Sequence, residues 1–144
     1  MATPAGIEHI MDGAQTLAIL VRQEYRAEGI RFFTPDEFSQ QLAYMRWPAG
    51  HVVAEHRHQP VPRTVHYTQE TLFVKSGRIQ VDFYSDACEH VTSRELAAGD
   101  VMLLASGGHG IEMLEESEII EVKQGPYAGA DDKVRFTART KCRG

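Results

Sequence analysis

The feature that most limits what this chain can become is a pair of alternating runs joined by Ser76-Gly77. In Arg78-Ile-Gln-Val-Asp-Phe-Tyr84 the residues Ile79, Val81 and Phe83 fall on one face and polar residues on the other, the period-two pattern of a half-buried strand. Before the turn, Glu70-Thr-Leu-Phe-Val-Lys75 places Leu72 and Val74 on the face of Glu70, so the two runs read as the arms of an antiparallel hairpin. Other short runs have turn residues at their ends. They cover 38–47, stopping at Pro48; 52–58; 91–96; 101–104, after the turn Ala98-Gly99-Asp100; and 118–124, ended by Gly125-Pro126. Residues 17–21 are either a strand or one helical turn leaving a strand, and strand is adopted. A chain of 144 residues can bury one core and not two. The expectation is a single all-β domain.

The chemistry concentrates between residues 50 and 77. If 52–58 is a strand, His56 and His58 point to the same side and their imidazoles can converge on one point. Glu70, as the first inward residue of a strand expected to start near Val65, adds a carboxylate oxygen. Two imidazoles and a carboxylate suit a divalent metal ion, Fe, Mn, Ni or Zn. The plainer reading is a chance pair of histidines at a polar strand end. His66 shares the parity of Glu70 and is a substrate contact, a substitute ligand or a rim residue. Glu121 and Lys123 share a parity and interrupt an apolar run, so they are either an acid and a base set together in a barrel mouth or a solvated outward pair. Arg63, Tyr67 and Tyr127 are further candidates for touching a bound molecule.

These residues resemble the first motif of the cupins, small β-barrel proteins that surround a metal. Gly50 precedes His56 with five residues between, and Glu70 precedes Gly77 with six between, as in that family. Eleven residues separate His58 from Glu70, where the family has three or four, so a loop with Pro60, Pro62 and Arg63 reads as an insertion. The second motif is similar at Gly99 and Gly107, with Ala105 at the proline position, His109 one residue early and Leu114 at the asparagine position. The resemblance implies a cupin-type double-stranded β-helix, or jelly-roll barrel, over 31–130. An N-terminal arm and edge strand would occupy 1–30 and a C-terminal tail 131–144. It also implies His109 as the last metal ligand, beside His56, His58 and Glu70; the alternative is a histidine in a glycine turn, bonded to backbone. Single-domain cupins are commonly dimers, so a homodimer is expected, with residues 17–21 as an intersubunit strand.

Composition narrows the partners. A net charge of −5 and a pI near 5.8 argue against nucleic acid and against an anionic membrane surface. No run approaches a membrane span, and no Lys or Arg precedes Arg22 while Glu8 and Asp12 do, so no signal peptide is expected and the expected location is the cytoplasm. The two cysteines, Cys88 and Cys142, suggest no disulfide framework. The tail, with Lys133, Arg135, Arg139, Lys141 and Arg143, reads as a solvated end or a surface for a partner subunit.

A metal held by two or three imidazoles and one carboxylate keeps open positions for an oxygen-rich small molecule, where it can act as a Lewis acid or bind dioxygen. The expected function is a metal-dependent enzyme acting on a small oxygenated metabolite such as a sugar or organic acid. The resemblance implies dioxygenase, isomerase or lyase chemistry, and Glu121 or His66 is the expected catalytic proton-transfer group. The alternative is a non-catalytic module that binds or senses a small molecule.

Overall fold

The computed structural model describes residues 3–137. Ten strands follow in chain order: β1 (Ile7–Asp12), β2 (Gln15–Val21), β3 (Gly29–Phe32), β4 (Ala43–Arg46), β5 (Glu70–Ser76), β6 (Arg78–Tyr84), β7 (His90–Ala97), β8 (Val101–Leu104), β9 (Gly108–Met113) and β10 (Glu118–Lys123). The fold is all-β. A five-stranded sheet in the order β1-β2-β8-β5-β10 lies against a three-stranded sheet β7-β6-β9, and β3-β4 is a separate hairpin. Every pairing is antiparallel, and the sheets do not close into a barrel. No helix among the described residues is long and apolar enough to cross a membrane.

The core lies between the two larger sheets. Leu72, Val74, Met102, Leu104, Leu17 and Leu20 from the five-stranded sheet meet Ile79, Val81, Phe83 and Leu96 from the three-stranded one, all of them buried. The expected Ser76-Gly77 hairpin is present as β5–β6. Gly77 has φ 83°, and a Cβ there would lie 2.4 Å from the backbone oxygen of Glu116, so the turn needs a residue without a side chain. The run 17–21 is a strand, but it is not an intersubunit strand. It is β2, an interior strand between β1 and β8 with Leu17 to Leu20 buried, because an unbroken apolar run suits a strand covered on both faces. A second small cluster of Ile7, Ile19 and Tyr25 roots the β3–β4 hairpin, with Tyr25 edge-on to Phe33 and Tyr44.

The two lateral flanks of the sandwich differ. On one flank β1 and β7 are tied together: Glu8 accepts from Arg22 and, at 2.9 Å, from Arg94, and Arg22 also donates to the Glu95 carbonyl at 2.6 Å. On the other flank β9 and β10 are edge strands, and nothing among the described residues pairs with their outer sides.

Several expectations need correction. Residues 52–58 are not a strand here; they lie in an irregular stretch between β4 and β5 in which every residue from Met45 to Thr68 is exposed. The strand expected from Val65 begins at Glu70. Cys88, buried in the turn before β7, is disulfide-bonded, so the expectation drawn from the two cysteines does not hold for it. The tail is not simply solvated, since residues 132–136 fold across the sheet ends beside Glu70; Arg139, Lys141 and Arg143 lie outside the described residues.

Candidate functional site

Glu70 is the first residue of β5, opposite Leu104 on one side and Lys123 on the other. His109 is the second residue of β9, opposite Phe83. The two therefore approach from different sheets at one end of the sandwich, and His109 Nε2 lies 3.5 Å from Glu70 Oε2. His109 sits in a strand and not in a glycine turn. Gly108 is needed for close packing: a Cβ on it would lie 2.8 Å from the Phe136 ring.

The hydrogen bond from His109 holds the Glu70 carboxyl below the usual carboxylate range. Partial burial pushes the other way, while the charge of His109, a hydrogen bond with Glu121 and the charge of Lys123 add to the lowering. Glu121 and Lys123 share the inward parity of β10, directly opposite Leu72 and Glu70, so both lie on the face of the sheet that carries Glu70, with Glu121 exposed. An ionised carboxylate facing an imidazole is an arrangement that can hold and pass a proton.

A cavity of about 420 Å³ opens over this pair. Thr68, Glu70 and His109 line it from the sheets, and Lys133, Arg135 and Phe136 line it from the C-terminal segment. Thr68 Oγ1 donates to Asp132 at 2.7 Å, and Lys123 Nζ stands 3.7 Å from the same carboxylate, which fixes the segment at the sheet ends. Phe136 packs edge-on against Tyr84 at 5.1 Å between ring centroids. None of these contacts was anticipated, because a stretch alternating Lys, Val, Arg and Phe carries no mark of where it docks.

The remaining candidates fall elsewhere. His56 and His58 are exposed, 5.5 Å apart between ring centroids, with His56 Nδ1 bonded to the Ala54 carbonyl; neither lines the cavity with Glu70 and His109. His66 and Tyr67 line a different cavity, of about 500 Å³, together with Gln15, Phe38 and Gln69. Comparison with protein-family models, curated proteins and solved structures found no match to this chain.

The fit to a metal ion is partial. Two donor atoms each about 2.1 Å from a tetrahedral ion lie about 3.4 Å apart, close to the separation of His109 Nε2 and Glu70 Oε2. A catalytic site of this type takes three protein ligands, and no group of three or more His, Cys, Asp or Glu that could hold a metal comes together among the described residues of one chain.

Proposed function

We propose that the chain is a cupin-type protein whose Glu70–His109 end binds a small oxygenated metabolite, an organic acid in preference to a neutral sugar, in company with a divalent metal ion. The carrying observation is the 3.5 Å approach of Glu70 and His109 beneath a cavity that Lys133 and Arg135 also line. A carboxylate ligand would place its charge near these two exposed cations. The cavity volume lies within the usual range for small-molecule sites.

The same arrangement supports an enzyme of dioxygenase, isomerase or lyase type over a passive binder. Glu70, kept ionised, orients the His109 imidazole, and Glu121, two residues from Lys123 on the neighbouring strand, offers a second carboxyl on the same face of the sheet. A proton taken from or given to a bound hydroxy or oxo acid can be held on this set. A metal bound there would supply Lewis-acid polarisation of the ligand oxygen. Glu121 is retained as the proton-transfer residue. His66, facing another cavity, is not.

Calorimetric titration with a panel of small hydroxy and oxo acids, with and without Mn(II), tests the reading. Saturable binding that weakens at least about tenfold in Lys133→Ala/Arg135→Ala is expected from the loss of charge-assisted contacts. Equal affinity for neutral sugars, or binding unchanged in that variant, would count against it.

A further inference from the structure

We propose that residues 47–68 form an arm exchanged between two copies of this chain, adding strand to the open β9 and β10 edges of the other copy and carrying His56 and His58 to that copy's Glu70 and His109.

Consider first the open flank. On β9 the residues His109, Ile111 and Met113 stand directly opposite Phe83, Val81 and Ile79, and directly opposed residues share a face of the sheet. They therefore point toward the core side, yet Ile111 is 38 % and Met113 52 % exposed while Val81 and Ile79 are fully buried. On the outer face of β10, Ile120 and Val122, opposite Phe73 and Thr71, are also exposed. Exposed apolar residues along two unpaired edge strands, core-facing on β9, mark a place where further strand belongs.

The arm has the complementary deficit. It carries Trp47, Val52, Val53, Val61, Val65 and Tyr67, all exposed, with Val52 at 75 %. Its hydrogen bonds up to Val65 stay inside it, as in His51 N–H to the Pro48 carbonyl and Arg63 to the Val61 carbonyl. Pro60 and Pro62 keep it extended. Residues 51–66 include His51, His56, His58, His66, Arg57 and Arg63 against a single acid, Glu55, whereas the β9–β10 hairpin exposes Glu112, Glu115, Glu116 and Glu118. The charges match arm to edge.

A second copy is the occupant because, among the described residues, no hydrogen bond, ion pair or ring contact carries residues 47–63 to β9 or β10 of their own chain, and the opposite charges of arm and edge favour that pairing. Exchange about a two-fold axis covers both arms and both edges with one self-complementary interface. It also supplies donors that do not come together among the described residues of one chain. Delivery of the histidines rests on the metal reading above; the exchange of arms does not.

Two measurements separate these. Photo-crosslinking from p-benzoylphenylalanine at Val53 should give a species of twice the 16.1 kDa chain mass, with the crosslink mapping to residues 108–123. A crosslink confined to monomer mass, one mapping elsewhere, or none overturns the exchange. Next, His56→Ala/His58→Ala and Glu70→Ala/His109→Ala chains are co-expressed with two different peptide tags, and mixed dimers are isolated. Each mixed dimer has one complete site of two, so it should bind about half the Zn(II) of wild type, while each variant alone binds none. Zinc bound by wild type but absent from mixed dimers overturns delivery of the histidines. No zinc on wild type, together with the dimer crosslink, overturns the metal reading and leaves the exchange standing.

Discussion

Ile111 lies directly across from Val81 on paired strands, yet Val81 is 0 % exposed and Ile111 38 %. Both side chains point to the same face of the sheet. The difference is what covers them: Val81 lies between the sheets, and Ile111 stands at an edge with nothing beyond it among the described residues. The same asymmetry places Glu70 and His109 at an accessible end of the sandwich, where a ligand can reach them.

Phe83 is the core residue opposite His109, and its burial supports the strand that carries the site. Phe83→Ala should lower unfolding free energy by about 3–5 kcal/mol in urea titration. A loss under about 1 kcal/mol would show that the two sheets do not pack as described.

Gly77 should tolerate no side chain. Its φ is 83° and a Cβ would meet Ser117 and Glu116, so Gly77→Ala should cost about 1–3 kcal/mol. Gly13, at φ 58° with open space around it, is the control, and Gly13→Ala should cost no more than about 1 kcal/mol. Thermal unfolding of the two variants side by side checks the order.

Glu8 predicts an acid dependence. Burial raises its pKa, but hydrogen bonds and charge from Arg22 and Arg94 outweigh this and leave it below the ordinary value of 4.5. Because the folded value is the lower one, the stabilising contribution is complete above pH 4.5 and is lost as the pH falls toward and through the folded value. Glu8→Gln should cost about 1 kcal/mol at pH 7, a figure already reduced for solvent screening, and less at pH 3. Urea midpoints at the two pH values read this directly, and an equal cost at both would contradict it.

Asp132 tethers the segment that walls the cavity, through Thr68 and Lys123. Asp132→Ala should leave global stability within about 1 kcal/mol, since both contacts lie near the surface. It should speed tryptic cleavage after Lys133 and Arg135 several-fold, because local release, unlike global unfolding, exposes that backbone. An unchanged cleavage rate would mean that the segment is held by other contacts.

Much of the scaffold was legible in the sequence, and the reasons are physical. Ile79, Val81 and Phe83 alternate and Ser76-Gly77 turns the chain, so β5–β6 could be read from local pattern alone. The spacing of His56 and His58 suits a strand, but spacing supplies no partner, and residues 52–58 pair with no strand among the described residues. β9 was hidden by Gly107, Gly108 and Gly110, which resemble a turn, although Gly108 serves the close approach of Phe136. Strand parity put Glu121 and Lys123 on one face, and the register of β10 on β5 puts Lys123 opposite Glu70. Asp132, Arg135 and Phe136 were not recognised as part of the site, because their docking depends on contacts distant in the chain.

The direct measurement is metal stoichiometry. Full-length protein loaded with Zn(II) or Mn(II) and freed of excess ion by gel filtration should retain close to one equivalent per chain by elemental analysis. Glu70→Ala and His109→Ala should each bind at least about tenfold more weakly. Wild type retaining no metal, or both variants retaining it fully, would contradict a cation held by the Glu70–His109 pair.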